Sequence, residues 1–453
     1  MASSTWKKES GRNHVPNPQA RLHLEDNKPM LTSRERVRLA LHHQEPDRVP
    51  VDLGSLSVTG MHVSTIYKLR QTLGLDPPGT PIKVVEPYQM LGEIKLDLAD
   101  TLGLDMVGFR SNTTAFGFKN EGWKPWTFFD GTPLLVPAGF NTEPEPSGDI
   151  LMYPAGDRSV PASGRMPKDG FYFDAIIRQE PFEEELLRWE GNVEEFTYVS
   201  ESTVWHFREE AERLFRDTER AVVSRFGDSS FGDIAKVPGP SLKHPKGIRD
   251  VEEWYISLET RRDYIYKVFE RQCEIALANL ERTVPLVRDQ VMVAYVTGTD
   301  FGQQNGPFIS PRLYRNLFKP FHKQINDYIH KHTPWKTFIH SCGSVYALLN
   351  DFIEAGFDIL NPVQTSAVDM EPARLKREFG DRLVFWGGGV DTQRTLPFGT
   401  PDQVREEVRE RIRTFGAGGG FVFCAIHNIQ ARTPVENVLA MFEAVREYGK
   451  YPL

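Results

Sequence analysis

Residues 336–364 read KTFIHSCGSVYALLNDFIEAGFDILNPVQ. Lys336 to Ile339 is an apolar run of strand length, and His340-Ser341-Cys342-Gly343 follows it as a turn. Val345 to Ala355 carries helical spacing, and Phe357 to Leu360 reads as the next strand, ending in Asn361. The same alternation extends both ways. Upstream, Val291 to Val296 is a strand, followed by Gly298-Thr299-Asp300-Phe301-Gly302 and a helix from Pro311 to His332. Downstream come a helix from Glu371 to Phe379, a strand from Leu383 to Trp386 and a helix from Pro401 to Phe415. Last are a strand from Phe421 to Ile426 and a helix from Pro434 to Tyr448. Strands alternating with helices over short connections predict a parallel sheet covered by helices. A doubly wound open sheet shares this pattern, but no Gly-x-Gly-x-x-Gly turn follows the first strand. The fold expected is α/β, a TIM-type (β/α)8 barrel.

Farther upstream the texture changes. Thr32-Ser33-Arg34-Glu35 reads as a capping box opening a helix to about Gln44, and Arg48 to Leu53 as a first short strand. From about 110 to 175, Trp123, Trp126, Phe128, Phe129 and Tyr153 lie among many Gly and Pro residues, with a hairpin-type Asp130-Gly131 pair. This segment reads as an insertion of strands and loops, a candidate lid whose aromatic residues are a local core or a cofactor box. Glu183 to Phe215 reads as charged helix. Residues 1–30 are polar and lack a signal-peptide core, so a flexible N-terminal arm is expected before a barrel domain over 31–453.

Composition narrows the function. The chain has 453 residues, 40% hydrophobic and 26% charged, with a formal charge of −8. That balance, with no dense Lys/Arg stripe, argues against nucleic acid, and no apolar run is long enough for a membrane helix. Cys273, Cys342 and Cys424 are the only cysteines. An odd, sparse set argues against a disulfide framework and fits a reducing cytoplasm. Cys273 lies in a helical pattern with Phe269, Ile275 and Ala276 and reads as core.

Polar residues gather where the strands end, the face on which barrel chemistry sits. They include Asp300, His340, Cys342, Asn361, Gln364, Gly387, Gly388, Asp391, Cys424 and His427. His340-x-Cys342 puts two zinc-type donors on one side of an extended segment. A buried thiol beside a hydrogen-bonded histidine is the alternative. Gly387-Gly388 offers backbone amides to a cofactor anion, or a tight turn. Asp391 and Asp300 each read as ligand, base or cap.

Several motifs together resemble the uroporphyrinogen decarboxylase superfamily. They are Thr32 to Val37 with Glu45 to Val51, Gly306 to Pro311 with Tyr314 and Lys319-Pro320, His340 to Gly343, Asp358 to Gln364, and Thr433-Pro434-x-Glu436-Asn437. The decarboxylases of that superfamily use no metal and carry an Arg-Gln-Ala-Gly-Arg run near the first strand. This chain has Asp52-Leu53-Gly54-Ser55 there. Its His340-x-Cys342-Gly343 is similar to the branch of zinc-dependent methyltransferases that work with corrinoid proteins.

That resemblance implies zinc on His340, Cys342 and a third ligand from the last strand end. His427 occupies the place of the branch's cysteine and ranks above Cys424. It further implies methyl transfer between a corrinoid (methylcobalamin) on a partner protein and a small thiol, folate or methylated substrate. His427, Asp300, Asp391 and Gln364 are the expected catalytic residues, and Gly387, Gly388 and Asn361 the expected cofactor contacts. A homodimer is left open. A metal-free decarboxylase or lyase acting on another polycarboxylate is the alternative.

Overall fold

The computed structural model describes residues 31–226 and 228–453; the expected flexible arm lies outside them. Seven parallel strands form one curled sheet: β1 (Met106–Phe109), β2 (Ala221–Arg225), β3 (Val291–Thr297), β4 (Lys336–His340), β5 (Ile359–Asn361), β6 (Val384–Trp386) and β7 (Phe421–Val422). They pair in chain order, each with the next. Residues 49–53, within the expected first strand Arg48 to Leu53, lie between the two edges and close the ring. On one side Phe423 N–H donates to Pro50 O, Asp52 N–H donates to Phe423 O, and Val51 pairs with Phe423 in parallel. On the other, Asp105 N–H donates to Val51 O at 2.8 Å. The result is an eight-stranded TIM-type barrel.

Strands buried on both faces are apolar at nearly every position, as in β3 (VMVAYVT). Inward residues Met106, Val223, Tyr295, Phe338, Val384, Trp386 and Val422 fill the interior. Outward residues meet helices with apolar stripes at helical spacing. After α1 (Ser33–Leu41) and α2 (Leu96–Leu102), α3 (Glu201–Asp217) buries Val204, Phe207, Ala211 and Leu214. The Thr32–Glu35 capping box opens α1 as expected.

The ring is pinned below by a buried charge. Asp105 is fully buried and accepts from Ser33, from Arg36 Nη1 at 2.6 Å, from Arg48 and from Val51 N–H. The N-terminal helix, the closing strand and the entry to β1 are thereby tied to one carboxylate. Close approach also selects residues: a Cβ on Gly108 would lie 1.7 Å from the Ser55 carbonyl oxygen.

Two expectations are corrected. Glu183 to Phe215 is not one helix; 3-10 turns cover Glu184–Leu186 and Trp189–Asn192, and α3 starts at Glu201 behind its Ser200 cap. Tertiary bonds override helical propensity there, since the Asn192 side chain bonds both backbone groups of Ile248. The last strand is also shorter than Phe421 to Ile426.

In the insertion, Asp130-Gly131 turns a hairpin between Lys124–Thr127 and Pro133–Val136. A second small sheet joins Ile150–Met152, Gly164–Met166 and Asp174–Ala175. Its aromatic residues pack on one another, Trp126 against Phe128, Phe129 and Phe140, and Phe116 against Phe173. They form a local core. Cys273 is buried in the core.

Candidate metal centre

Parallel pairing of β4 with β5 sets His340 opposite Asn361. Their side chains therefore project to the same side, and His340 Nδ1 lies 2.6 Å from Asn361 Oδ1. Asn361 Nδ2 donates to Trp386 O at 2.8 Å. The amide orientation is thus fixed, and only its oxygen faces the imidazole. His340 must carry its proton on Nδ1, which leaves the Nε2 lone pair facing Cys342 Sγ at 3.4 Å.

Beyond β4 the chain turns through Ser341–Ser344, and four successive N–H groups are each held from a neighbouring strand end. Ser341 donates to Asn361 O and Cys342 to Asp300 Oδ1, both at 2.7 Å. Gly343 donates to Gln364 Oε1 and Ser344 to Gln303 O, both at 2.8 Å. The Ser341 hydroxyl accepts from Phe301 N–H. Gly343 has φ +81°, and a Cβ there would lie 2.3 Å from Gly302 C. Only glycine makes this turn without displacing Cys342.

From the other side of the barrel, past β7, comes His427. Its ring centroid is 5.4 Å from that of His340, at 63°. One ligand atom each from His340, Cys342 and His427 lie within 4.8 Å of one another. Burial holds both imidazoles neutral, lowering each to about 4, with Asn361 acting upward on His340 and the His340 charge acting downward on His427. Burial, then the Asp300 charge, pushes the Cys342 thiol well above its usual range. Burial also raises Asp300, against the hydrogen bond from Cys342. Two neutral imidazoles and one ionisable sulfur form a donor set suited to zinc, and a cation at their centre reverses the electrostatics that protonate the thiol.

The remaining expected residues have definite places. Asp300 is at the group, its Oδ1 3.9 Å from His340 Nε2. Gln364 holds Gly343 and donates to Gln304. Asn361 orients His340. Cys424 lies outside the group of three, its sulfur 4.0 Å from Asn361 Nδ2 and packed in the barrel interior. Asp391 accepts from Gln393 and Arg394 N–H groups, as a turn cap. Gly387 and Gly388 have positive φ in a tight turn, and Gly387 N–H is already donated to Val422 O.

Sequence reasoning missed two neighbours. Tyr295 and Arg225 are register partners on β3 and β2, with the guanidinium 5.3 Å from the ring centroid, and the Tyr295 hydroxyl feels the charges of Asp300 and Cys342. An arginine closing the apolar run Ala221–Ser224 was the available signal.

The chain is similar to several known proteins. Uroporphyrinogen decarboxylase of Psychromonas ingrahamii is 29% identical over 147 residues, 31% of this chain and 39% of that protein. The enzyme of the same name from Actinobacillus succinogenes is 33% identical over 78 residues, 17% of this chain and 21% of the relative. The chain thus matches about two fifths or less of these relatives' length. A solved methyltransferase from Methanosarcina mazei superposes with a TM-score of 0.53 at 16% identity, covering 92% of this chain and 99% of that one; it shares the fold. The uroporphyrinogen decarboxylase (URO-D) family model matches residues 278–448. Over that stretch the chain is similar to the family, and His340, Cys342 and His427 all fall inside it.

Proposed function

We propose that this protein is a zinc-dependent methyltransferase. It moves a methyl group between a corrinoid on a separate partner protein and a small thiol, folate or methylated substrate. The observation that carries the reading is the convergence of His340 Nε2, Cys342 Sγ and His427, with the His340 tautomer already fixed by Asn361. Such a set holds zinc through three protein ligands and keeps a position for substrate. When bound, zinc supplies Lewis acidity and lowers the pKa of a coordinated thiol or water.

The chain's own residues do the rest. Asn361 orients one imidazole, and Asp300 fixes the Cys342 backbone. Asp300 also stands within reach of a proton at the site, its Oδ1 3.9 Å from His340 Nε2. A His-Cys-His set carries less negative charge than a set with two thiolates. It therefore favours activation of a methoxy or methylamine donor over methylation of a thiol.

The curated relatives favour a second reading, decarboxylation of another polycarboxylate with His427 and Asp300 as acid and base. Uroporphyrinogen itself fits poorly. At the place of the arginine run, buried Asp52 accepts from Ser55 and the Trp386 indole, and offers no cation to a carboxylate. Metal analysis combined with a panel of methylated donors, thiols and folates, with free and protein-bound corrinoid, separates the readings. About one zinc per chain and consumption of methylcobalamin is the expected result. Carbon dioxide release from a polycarboxylate without methyl transfer establishes the second reading.

A further inference from the structure

A groove of about 600 Å3 lies mainly on the outer side of β1, lined by Ala99 of α2, Leu214 of α3 and Phe109, and reaches Met106. None of His340, Cys342 or His427 lines it. Phe109 packs against Phe207 of α3, which marks this side of β1 as the outer one. The groove is also lined by Arg110, Asn112 and Asn120.

Arg110 Nη1 is buried and has no hydrogen-bond partner among the described residues. Glu86 is the opposite charge that acts on it, yet both Glu86 oxygens already accept backbone N–H groups, from Tyr88 and Gln89. Asn120 lines the same groove and is fixed in place. Its N–H donates to Asn112 O at 2.9 Å, and its Nδ2 donates to Val85 O at 3.0 Å. The amide orientation is thereby set, and Oδ1 is an acceptor, buried and likewise without a partner among the described residues. Unpaired buried polar atoms are costly, and here two of opposite kind, a charged donor and a neutral acceptor, belong to residues that line one groove.

We propose that this groove is a second binding site, for a small carboxylate bearing an adjacent O–H or N–H group. The carboxylate pairs with Arg110, and the neighbouring hydroxyl or amine donates to Asn120 Oδ1. The other acids of the groove are accounted for: Glu210 is paired with Arg213 at 2.7 Å, and Glu93 is a further opposite charge acting on Arg213.

Calorimetric titration of the full chain with malate, aspartate and succinate tests this, because the three differ only in hydroxyl, amine or neither. Malate or aspartate should bind saturably and about tenfold tighter than succinate. Arg110→Met should weaken that ligand by at least about tenfold. Asn120→Leu should bring it down to the succinate level. Cys342→Ala should leave it unchanged, which separates this site from the metal centre. If Arg110→Met does not fold, Arg110→Lys replaces it, with weaker binding expected because the two-pronged contact is lost. Equal binding of all three, no saturable binding of any, or binding indifferent to Arg110 overturns the proposal.

Discussion

His340 Nδ1 and Asn361 Oδ1 lie 2.6 Å apart, and the Asn361 amide is itself anchored to the Trp386 carbonyl. The contact sets which nitrogen of His340 is free. Asn361→Leu should therefore lower zinc affinity about 10- to 100-fold, as loss of an orienting partner does at other metal sites. Chelator competition measures it. Unchanged affinity with unchanged circular dichroism would remove Asn361 from the site.

Asp300 fixes Cys342 through the backbone N–H at 2.7 Å. Asp300→Asn keeps an acceptor there and should retain metal, while Asp300→Ala should loosen the turn and lose it. Both variants should lose most activity if Asp300 also handles a proton. An Asp300→Asn enzyme of full activity, with a wild-type pH profile, leaves Asp300 as a positioning residue only.

Away from the site, Asp105→Ala should be the most damaging single change near the N-terminus. It takes one of two carboxylates from buried Arg36, which keeps Asp47, and leaves Ser33 and the Val51 N–H without their acceptor. A loss of about 1–3 kcal/mol is expected. Arg48→Ala should cost less, because its side chain is 27% exposed. Urea unfolding ranks the two, and the reverse order contradicts this account of barrel closure.

His322 gives a pH dependence. Tyr314 O–H is 3.0 Å from its Nδ1, its Nε2 has no partner among the described residues, and Phe231, Phe301 and Phe357 surround the ring. Burial lowers it to about 3, against about 6.5 in an unfolded chain. Below that unfolded value the denatured state takes up a proton that the native state refuses. Stability should fall from about pH 6.5 down toward the folded pKa, by about 1.4 kcal/mol per unit for this one group. His322→Phe should flatten the difference between urea midpoints at pH 7 and pH 5. An identical slope in the variant assigns the acid sensitivity elsewhere, with His62, lowered to about 4 by burial, the next candidate.

Much of this was legible in the chain because βα alternation and strand-end chemistry are local signals. His340 and His427 follow an apolar run directly, Cys342 comes two residues after His340, and Asp300 follows its strand after Thr297-Gly298-Thr299. The role of Asn361 was not legible, because it depends on the register between β4 and β5, which no local pattern encodes. The relation of Cys424 to His427 was open for a similar reason. Both lie just past a very short strand, and which of them faces the pocket depends on how the chain leaves β7. In the fold, Cys424 turns into the interior beside Asn361, and His427 comes to His340. Arg110 and Asn120 came into view only through what their neighbours already occupy.

The barrel's closing strand is short, and few backbone hydrogen bonds, through Pro50, Val51 and Asp52, clasp it to its two neighbours. One of those neighbours runs on from Phe423 to His427. Parting the clasp strips one side of the edge that carries His427, leaving it to its bonds with Gly389 and Val390, while His340 and Cys342 stay seated on β4 and the turn that follows. Local opening at this seam should loosen the centre before the barrel melts. Temperature or denaturant should silence the protein before it unfolds, and amide exchange at Asp52 and Phe423 should run ahead of exchange within β3 and β4.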